Sequence, residues 1–200
     1  MIRLFLAVEL PDILRLEITA VQAALGVSGA DVKWVEAENL HLTLKFLGAV
    51  ERTRMPEMAE VLQPAVGQCE QFTFALRGIG AFPDLKRTRV VWIGIEEGRE
   101  QLARLVGVVD GACRRLGFPA EDRPFTPHLT IGRIRSPQRL RLAEAAPLAP
   151  ARRLAALSAR LDGMAFACSA EVPVERVVLF HSTLSPKGPI YTEQAAFALR

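Results

Sequence analysis

Cysteine is scarce in this chain: Cys69, Cys113 and Cys168 are the only three among 200 residues. None belongs to a CxxC pair or lies at zinc-finger spacing from a histidine. An odd, dispersed set points to reduced thiols rather than to a disulfide framework or a structural zinc. Long apolar runs are missing as well. No stretch approaches the ~20 residues of a transmembrane helix. The opening Met1–Leu10 is apolar for only a few residues before Glu9 and Asp12, too short for a signal-peptide core, and reads as a first strand. Dense Lys/Arg blocks are absent too. The 25 basic and 22 acidic residues leave a net charge of +3, which permits a polyanionic partner without marking an obligate nucleic-acid binder. No aromatic RNP pattern supports a simple RNA-binding module. With 24% charged residues disorder is not expected, and 50% apolar content over this length can bury a sizeable core. A soluble, cytoplasmic protein is the expectation.

Histidine is equally rare, and there the pattern becomes informative. All three histidines stand two residues before a threonine: His41-Leu-Thr43, His128-Leu-Thr130 and His181-Ser-Thr183. Nine residues in the chain are threonine, so chance would produce this about once in 10^4 sequences. The first two copies agree further, as His-Leu-Thr-Leu at 41–44 and His-Leu-Thr-Ile at 128–131.

The surrounding periodicity places both copies on strands. Ile2–Leu10, Val32–Val35 and Leu40–Leu47 read as strands, with a helix from Pro11-Asp12 to about Leu25. Pro56 to about Cys69 has helical spacing that Pro64 should break or kink. Gln71–Ile79 and Arg89–Ile95 read as a strand pair joined by a turn at Gly80–Asp84, and Gly98–Leu116 as the clearest amphipathic helix. Phe125–Ile134 is the second motif strand. Ser136–Ala151, with three prolines, reads as an irregular connector, and Leu154–Leu161 as a short helix. Phe166–Ala170, Arg176–Leu184 and Ile190–Leu199 complete a β-rich tail. Strands outnumber helices, and each half contains strand, helix and motif strand. The expected class is α+β, with two related lobes in a single unit over 1–200.

On a strand, residues i and i+2 share a face. Alternation therefore puts Leu40, Leu42, Leu44 and Phe46 against a core, and His41, Thr43 and Lys45 in a cleft. In the second copy His128 and Thr130 face out while Leu129 and Ile131 face in. A lone His-x-Thr is more often a half-buried strand histidine, but a matched pair with matched neighbours points to a site built from two halves. Two imidazoles with pKa near ~6.5 suit in-line displacement at a phosphodiester, one taking a proton from the nucleophile and one supplying it to the departing oxygen. Hydroxyl donors then stabilise the nonbridging oxygens. This chemistry requires no metal, and the sequence offers no carboxylate cluster to hold one. Trp34 and Trp92, in apolar strands, read as core packing. Lys86–Arg89 and Arg133–Arg141 read by default as solvated loop charge, with steering of RNA into the cleft as the alternative, and Arg152-Arg153 as a helix surface.

These residues resemble a known family, the two-histidine (2H) phosphoesterases, in its branch of RNA 2′,3′-cyclic phosphodiesterases, also called 2′-5′ RNA ligases. The resemblance rests on Met1-Ile-Arg-Leu-Phe-Leu-Ala-Val8, Val32-Lys-Trp-Val35, Glu38-Asn-Leu-His-Leu-Thr-Leu-Lys-Phe-Leu-Gly48, Val90-Val-Trp-Ile-Gly94, Phe125-Thr-Pro-His-Leu-Thr-Ile-Gly-Arg133 and Leu179-Phe-His-Ser-Thr-Leu184, with Gly188 and Tyr191. It implies two pseudo-symmetric lobes with antiparallel sheets around a central cleft, each giving one His-x-Thr strand. It implies opening of RNA 2′,3′-cyclic phosphate ends to 2′-phosphates with no metal or nucleotide cofactor, and reversible ATP-independent 2′-5′ joining as a side activity. By the same resemblance His41 is the proton donor, His128 the proton acceptor, and Thr43 and Thr130 hold the phosphate. Arg133 matches a phosphate-side arginine, although strict alternation aims it at the core unless a bulge or strand end at Gly132 turns it back. His181 is not required by the family and reads as a strand histidine at the cleft rim or surface. RNA with a cyclic phosphate end is the expected partner of a monomer. The alternatives are a 2H enzyme for a small cyclic or 2′-5′-linked nucleotide, and a non-catalytic RNA-binding module.

Overall fold

The fold comes from a computed structural model that describes residues 1–120, 125–135, 150–186 and 188–200. Among these, ten strands and four helices follow one another: β1 (Ile2–Glu9), α1 (Asp12–Gly26), β2 (Val32–Trp34), β3 (His41–Val50), α2 (Met55–Val66), β4 (Phe72–Phe74), β5 (Leu76–Phe82), β6 (Val90–Ile95), α3 (Arg99–Arg115), β7 (His128–Ile134), α4 (Pro150–Asp162), β8 (Val172–Val174), β9 (Arg176–Ser185) and β10 (Gly188–Ala198). Two four-stranded sheets result, ordered β10-β9-β1-β3 and β2-β7-β6-β5, and every pairing in them is antiparallel. β4 and β8 form a small separate ribbon.

The repeat suggested by the motif is visible in the chain path. β1–α1–β3 and β6–α3–β7 are the same unit: a strand, a helical crossover, then a motif strand laid antiparallel to the first. The halves are interlocked rather than separate. β2, from the first half, completes the second sheet, and β9 and β10 complete the first. The helices exchange in the same way: α3 packs behind β3, while α1 packs behind β7. Each motif strand is thus backed by a helix from the other half.

The core is a continuous apolar layer between sheets and helices. β1 is paired on both sides and buried from Leu4 to Val8, as a central strand must be. α3 buries Leu102, Leu105, Val106, Val109, Ala112 and Cys113, a helical stripe in which each fully buried leucine contributes about 1.5–3 kcal/mol. Gly98 starts that helix at φ +76°, and a Cβ there would lie 2.4 Å from the Thr73 carbonyl oxygen, so the position requires glycine. All three cysteines are free thiols.

Several local expectations need correction. α2 is not broken at Pro64 but runs on to Val66. β5 continues to Phe82, so residues read as a turn at Gly80–Phe82 are strand and the turn begins at Pro83. Phe166–Ala170 contributes only a single bridge, Arg77 to Ala167. The helix read from Leu154 begins at Pro150, and most of the proposed connector before it lies outside the described residues.

Candidate active site

The cleft is built by the facing surfaces of the two sheets, and the motif strands β3 and β7 approach with Cα atoms within 8 Å. On β3, His41 and Thr43 stand opposite Glu9 and Ala7 of β1, and Leu42 opposite Val8 faces the core. On β7, His128 and Thr130 stand opposite Gly94 and Trp92 of β6, with Leu129 opposite the buried Ile93.

Strict alternation then fails, at the same place in both copies. Leu44 of β3 and Ile131 of β7, each the fourth residue of its motif, are unpaired extra residues where the register shifts. A bulge of this kind flips the side chains beyond it, in β3 until a second register shift at Leu47 turns them back. Lys45, expected in the cleft, points to the back of its sheet and is 3% exposed, its Nζ 2.6 Å from Asp110 Oδ1 and 2.9 Å from the Pro119 carbonyl oxygen. Phe46, expected in the core, is 65% exposed on the cleft side. In the second copy Gly132 is buried and Arg133 is turned outward, onto the face of His128 and Thr130. Phe46 and Arg133 are therefore equivalent positions of the repeat. Their chemistry differs: an aromatic ring from one lobe, a guanidinium from the other.

Each bulge is tied from behind by a polar side chain on the exchanged helix. Asp110 of α3 holds Lys45, and buried Gln22 of α1 donates from Nε2 to the bulged Ile131 carbonyl at 2.9 Å and to the Val35 carbonyl at 2.8 Å. Periodicity carries no sign of these links, because they join residues far apart in sequence.

Both catalytic candidates are oriented identically. His41 Nδ1 lies 2.7 Å from the Asn39 carbonyl oxygen, and His128 Nδ1 lies 2.8 Å from that of Thr126. A carbonyl can only accept, so Nδ1 carries the hydrogen in both rings and Nε2 is left for chemistry. Buried Asn39 in turn donates from Nδ2 to the Pro189 carbonyl at 3.0 Å, tying the β9–β10 hairpin to the His41 loop.

The surroundings of the two rings differ. His41 sits among aromatic rings, 4.8 Å from Phe5 and 5.1 Å edge-on from Tyr191, beside a cavity of about 250 Å³ that Arg15, Glu38, Phe180 and Glu193 also line. Burial lowers its pKa to about 4, helped by the positive charges of Arg15 and Arg133, while the Asn39 carbonyl pulls the other way. Burial also raises the Tyr191 phenol, against the same Arg133 charge. Arg133 of β7 thus acts electrically on residues of the opposite sheet. His128 is half-buried, with Phe82 edge-on at 4.9 Å.

A group whose folded pKa lies below its unfolded value holds fewer protons when folded, so stability falls where the unfolded chain alone is protonated. For His41 that window runs from pH 6.5 down to about 4, worth up to about 3 kcal/mol across it. Chemical denaturation at pH 7 and pH 4.5 should show a smaller acid loss in His41→Gln than in the wild type. Equal losses would contradict the depressed pKa.

The remaining sequence expectations are placed as follows. Trp34 lies on the α1 side against Gly132, whose Cβ would meet its ring at 2.7 Å. Trp92 lies on the cleft side, opposite Thr130 and flat across Gly80, and is half-buried rather than core. His181 pairs with Leu4, which faces the core layer, so it points away from the cleft and is not at its rim. Among the described residues no group of three or more His, Cys, Asp or Glu is placed to hold a metal ion, and no helix is long and apolar enough to cross a membrane.

Each of the two antiparallel sheets thus carries one His-x-Thr strand, and the two strands lie beside each other. The sequence profile of the 2′-5′ RNA ligase superfamily matches residues 10–173, and the chain belongs to that family. It is 36% identical over 199 residues to an RNA 2′,3′-cyclic phosphodiesterase of Methanothermobacter thermautotrophicus, covering 99% of both chains. Among solved structures it is similar to TT0787 of Thermus thermophilus, with TM-score 0.76 and 30% identity over 99% of this chain and 98% of that one. It is also similar to E. coli LigT complexed with 3′-AMP, with TM-score 0.75 and 26% identity over 99% and 98%.

Proposed function

We propose that the protein opens 2′,3′-cyclic phosphates at RNA ends to 2′-phosphates by metal-free acid/base catalysis between His41 and His128. The observation that carries this reading is the matched pair of bulged motif strands, with both Nε2 atoms left free by their Nδ1 bonds and with Arg133 of one strand acting on the histidine of the other. In the reaction, His128 Nε2 takes a proton from water as the water oxygen bonds to phosphorus. The P–O3′ bond breaks on the opposite side, and His41 Nε2–H protonates O3′. The Thr43 and Thr130 hydroxyls and the Arg133 guanidinium meet the nonbridging oxygens, where negative charge accumulates. Phe46, exposed on the cleft face, supplies a flat surface for the nucleobase. A 5′-hydroxyl in place of water gives a 2′-5′ linkage by the same steps, which makes joining the side activity and explains why it needs no ATP. The whole chain acts as one bilobal unit, as a monomer in the cytoplasm.

The depressed pKa of His41 favours a second order of events in the empty site, with neutral His41 as base and His128 as acid. In the proposed order, the bound phosphate anion restores the His41 proton, because an adjacent opposite charge favours imidazolium. The reaction itself is tested by product analysis on a dinucleotide ending in 2′,3′-cyclic phosphate. A 2′-phosphate is the expected product, formed equally with chelator present. A 3′-phosphate, or no turnover of RNA ends alongside turnover of a small cyclic or 2′-5′-linked nucleotide, would contradict the reading.

A further inference from the structure

β2 is a three-residue edge strand, and its middle residue breaks a pairing rule. Val32 and Trp34 turn toward α1, as their contacts with the Gly132 position show, so Lys33 turns to the cleft side. There it stands directly opposite Arg133, and both are exposed. Like charges directly opposite on one face destabilise an antiparallel pair. Just beyond this three-rung ladder the charges are matched: Arg135 Nη1 lies 3.9 Å from Asp31 Oδ1 and its backbone N–H donates to the Asp31 carbonyl. Among the described residues, neither Lys33 nor Arg133 has a carboxylate oxygen within 4.0 Å. Lys33 also reaches across the cleft, its Nζ 3.4 Å from where a Cβ on Gly188 would stand, at the turn end of the β9–β10 pair, where Gly188 is paired with Ser185. A local break of the rules kept without a compensating partner marks a functional position.

We infer that Lys33 forms a second anion subsite, taking the phosphodiester immediately upstream of the RNA end. This rests on the proposed function, since it presupposes an RNA end in the cleft. Arg133 serves the reacting phosphate, because it stands on the same face of β7 as His128 and Thr130. Lys33 lies one strand farther out, with cross-strand Cβ atoms about 4.5–5.5 Å apart, so its ammonium meets the next phosphate along the strand. The upstream phosphodiester at Lys33 and the reacting phosphate at Arg133 together offset the repulsion between the two cations. The consequence is selectivity: an oligonucleotide end engages both cations, and a mononucleoside cyclic phosphate only the inner one.

The test compares Lys33→Ala and Lys33→Arg with the wild type on two substrates, a dinucleotide 2′,3′-cyclic phosphate and a mononucleoside 2′,3′-cyclic phosphate. Lys33→Ala should raise KM for the dinucleotide about five- to tenfold, hold kcat, and change KM for the mononucleotide less than twofold. Lys33→Arg should restore most of the loss. The slope of log kcat/KM against log salt should become shallower by ~0.7 for the dinucleotide, as expected for one phosphate contact fewer on a single strand. An equal rise in KM on both substrates would assign Lys33 to the reacting phosphate, and no change on either would make it an ordinary solvated charge. Both outcomes overturn the subsite. A wild type that turns over neither substrate overturns the reading of the cleft itself, and the subsite with it.

Discussion

Replacing His41 or His128 by alanine should each lower the rate of cyclic phosphate opening by about 10^3-fold or more, at the upper end of what a positioned acid or base supplies. The losses should not add. Once one proton transfer has failed the other has little to assist, so the double variant should be close to the worse single one. Binding of a 3′-terminal phosphate should survive in both, because Thr43, Thr130 and Arg133 remain. The two variants are distinguished by an aryl phosphodiester whose departing oxygen needs no proton. It should restore much of the rate in His41→Ala and none in His128→Ala if His41 is the acid. The opposite pattern would establish the reversed order that the depressed His41 pKa favours. Full turnover of the RNA end by either variant would remove that histidine from the mechanism.

Arg133→Met should reduce kcat/KM about 10^2-fold or more, the loss expected on removing one donor aimed at developing oxyanion charge. The effect has a second component that a merely structural residue lacks. Arg133 is one of the charges holding His41 unprotonated, so its removal should raise the His41 pKa, read directly from the ring resonances in an NMR titration. Substitutions at Gln22, which hold the bulge that turns Arg133 outward, should move the same two readouts in the same directions but by less. A His41 pKa unmoved in Arg133→Met would show that the guanidinium does not reach across the cleft.

The element order and the two motif strands were legible because period-2 alternation and helical spacing are local signals. His41, Thr43, His128 and Thr130 face as alternation demands, since all four precede the bulges. Beyond Leu44 and Ile131 the same alternation misplaces Lys45 and Phe46 and leaves Arg133 undecided. An extra unpaired residue is a property of the partner strand as much as of its own. Gly132 was a usable hint in the second copy, and the identical position of the first two motifs could have carried the bulge across to Leu44. Sheet membership was less accessible still. Nothing local to Val32–Trp34 reveals that β2 joins the second sheet, or that α1 and α3 exchange sides. Those choices are settled by long-range burial and by links such as Gln22 to Ile131 and Asp110 to Lys45.

The most direct measurement is a crystal structure of the protein with a 2′-phosphorylated nucleotide soaked into the cleft. Both Nε2 atoms should lie about 2.6–3.2 Å from oxygens of one phosphate group, on opposite sides of its phosphorus. A phosphate touched by one imidazole alone, with the other ring turned to a different region, would contradict the shared-site account.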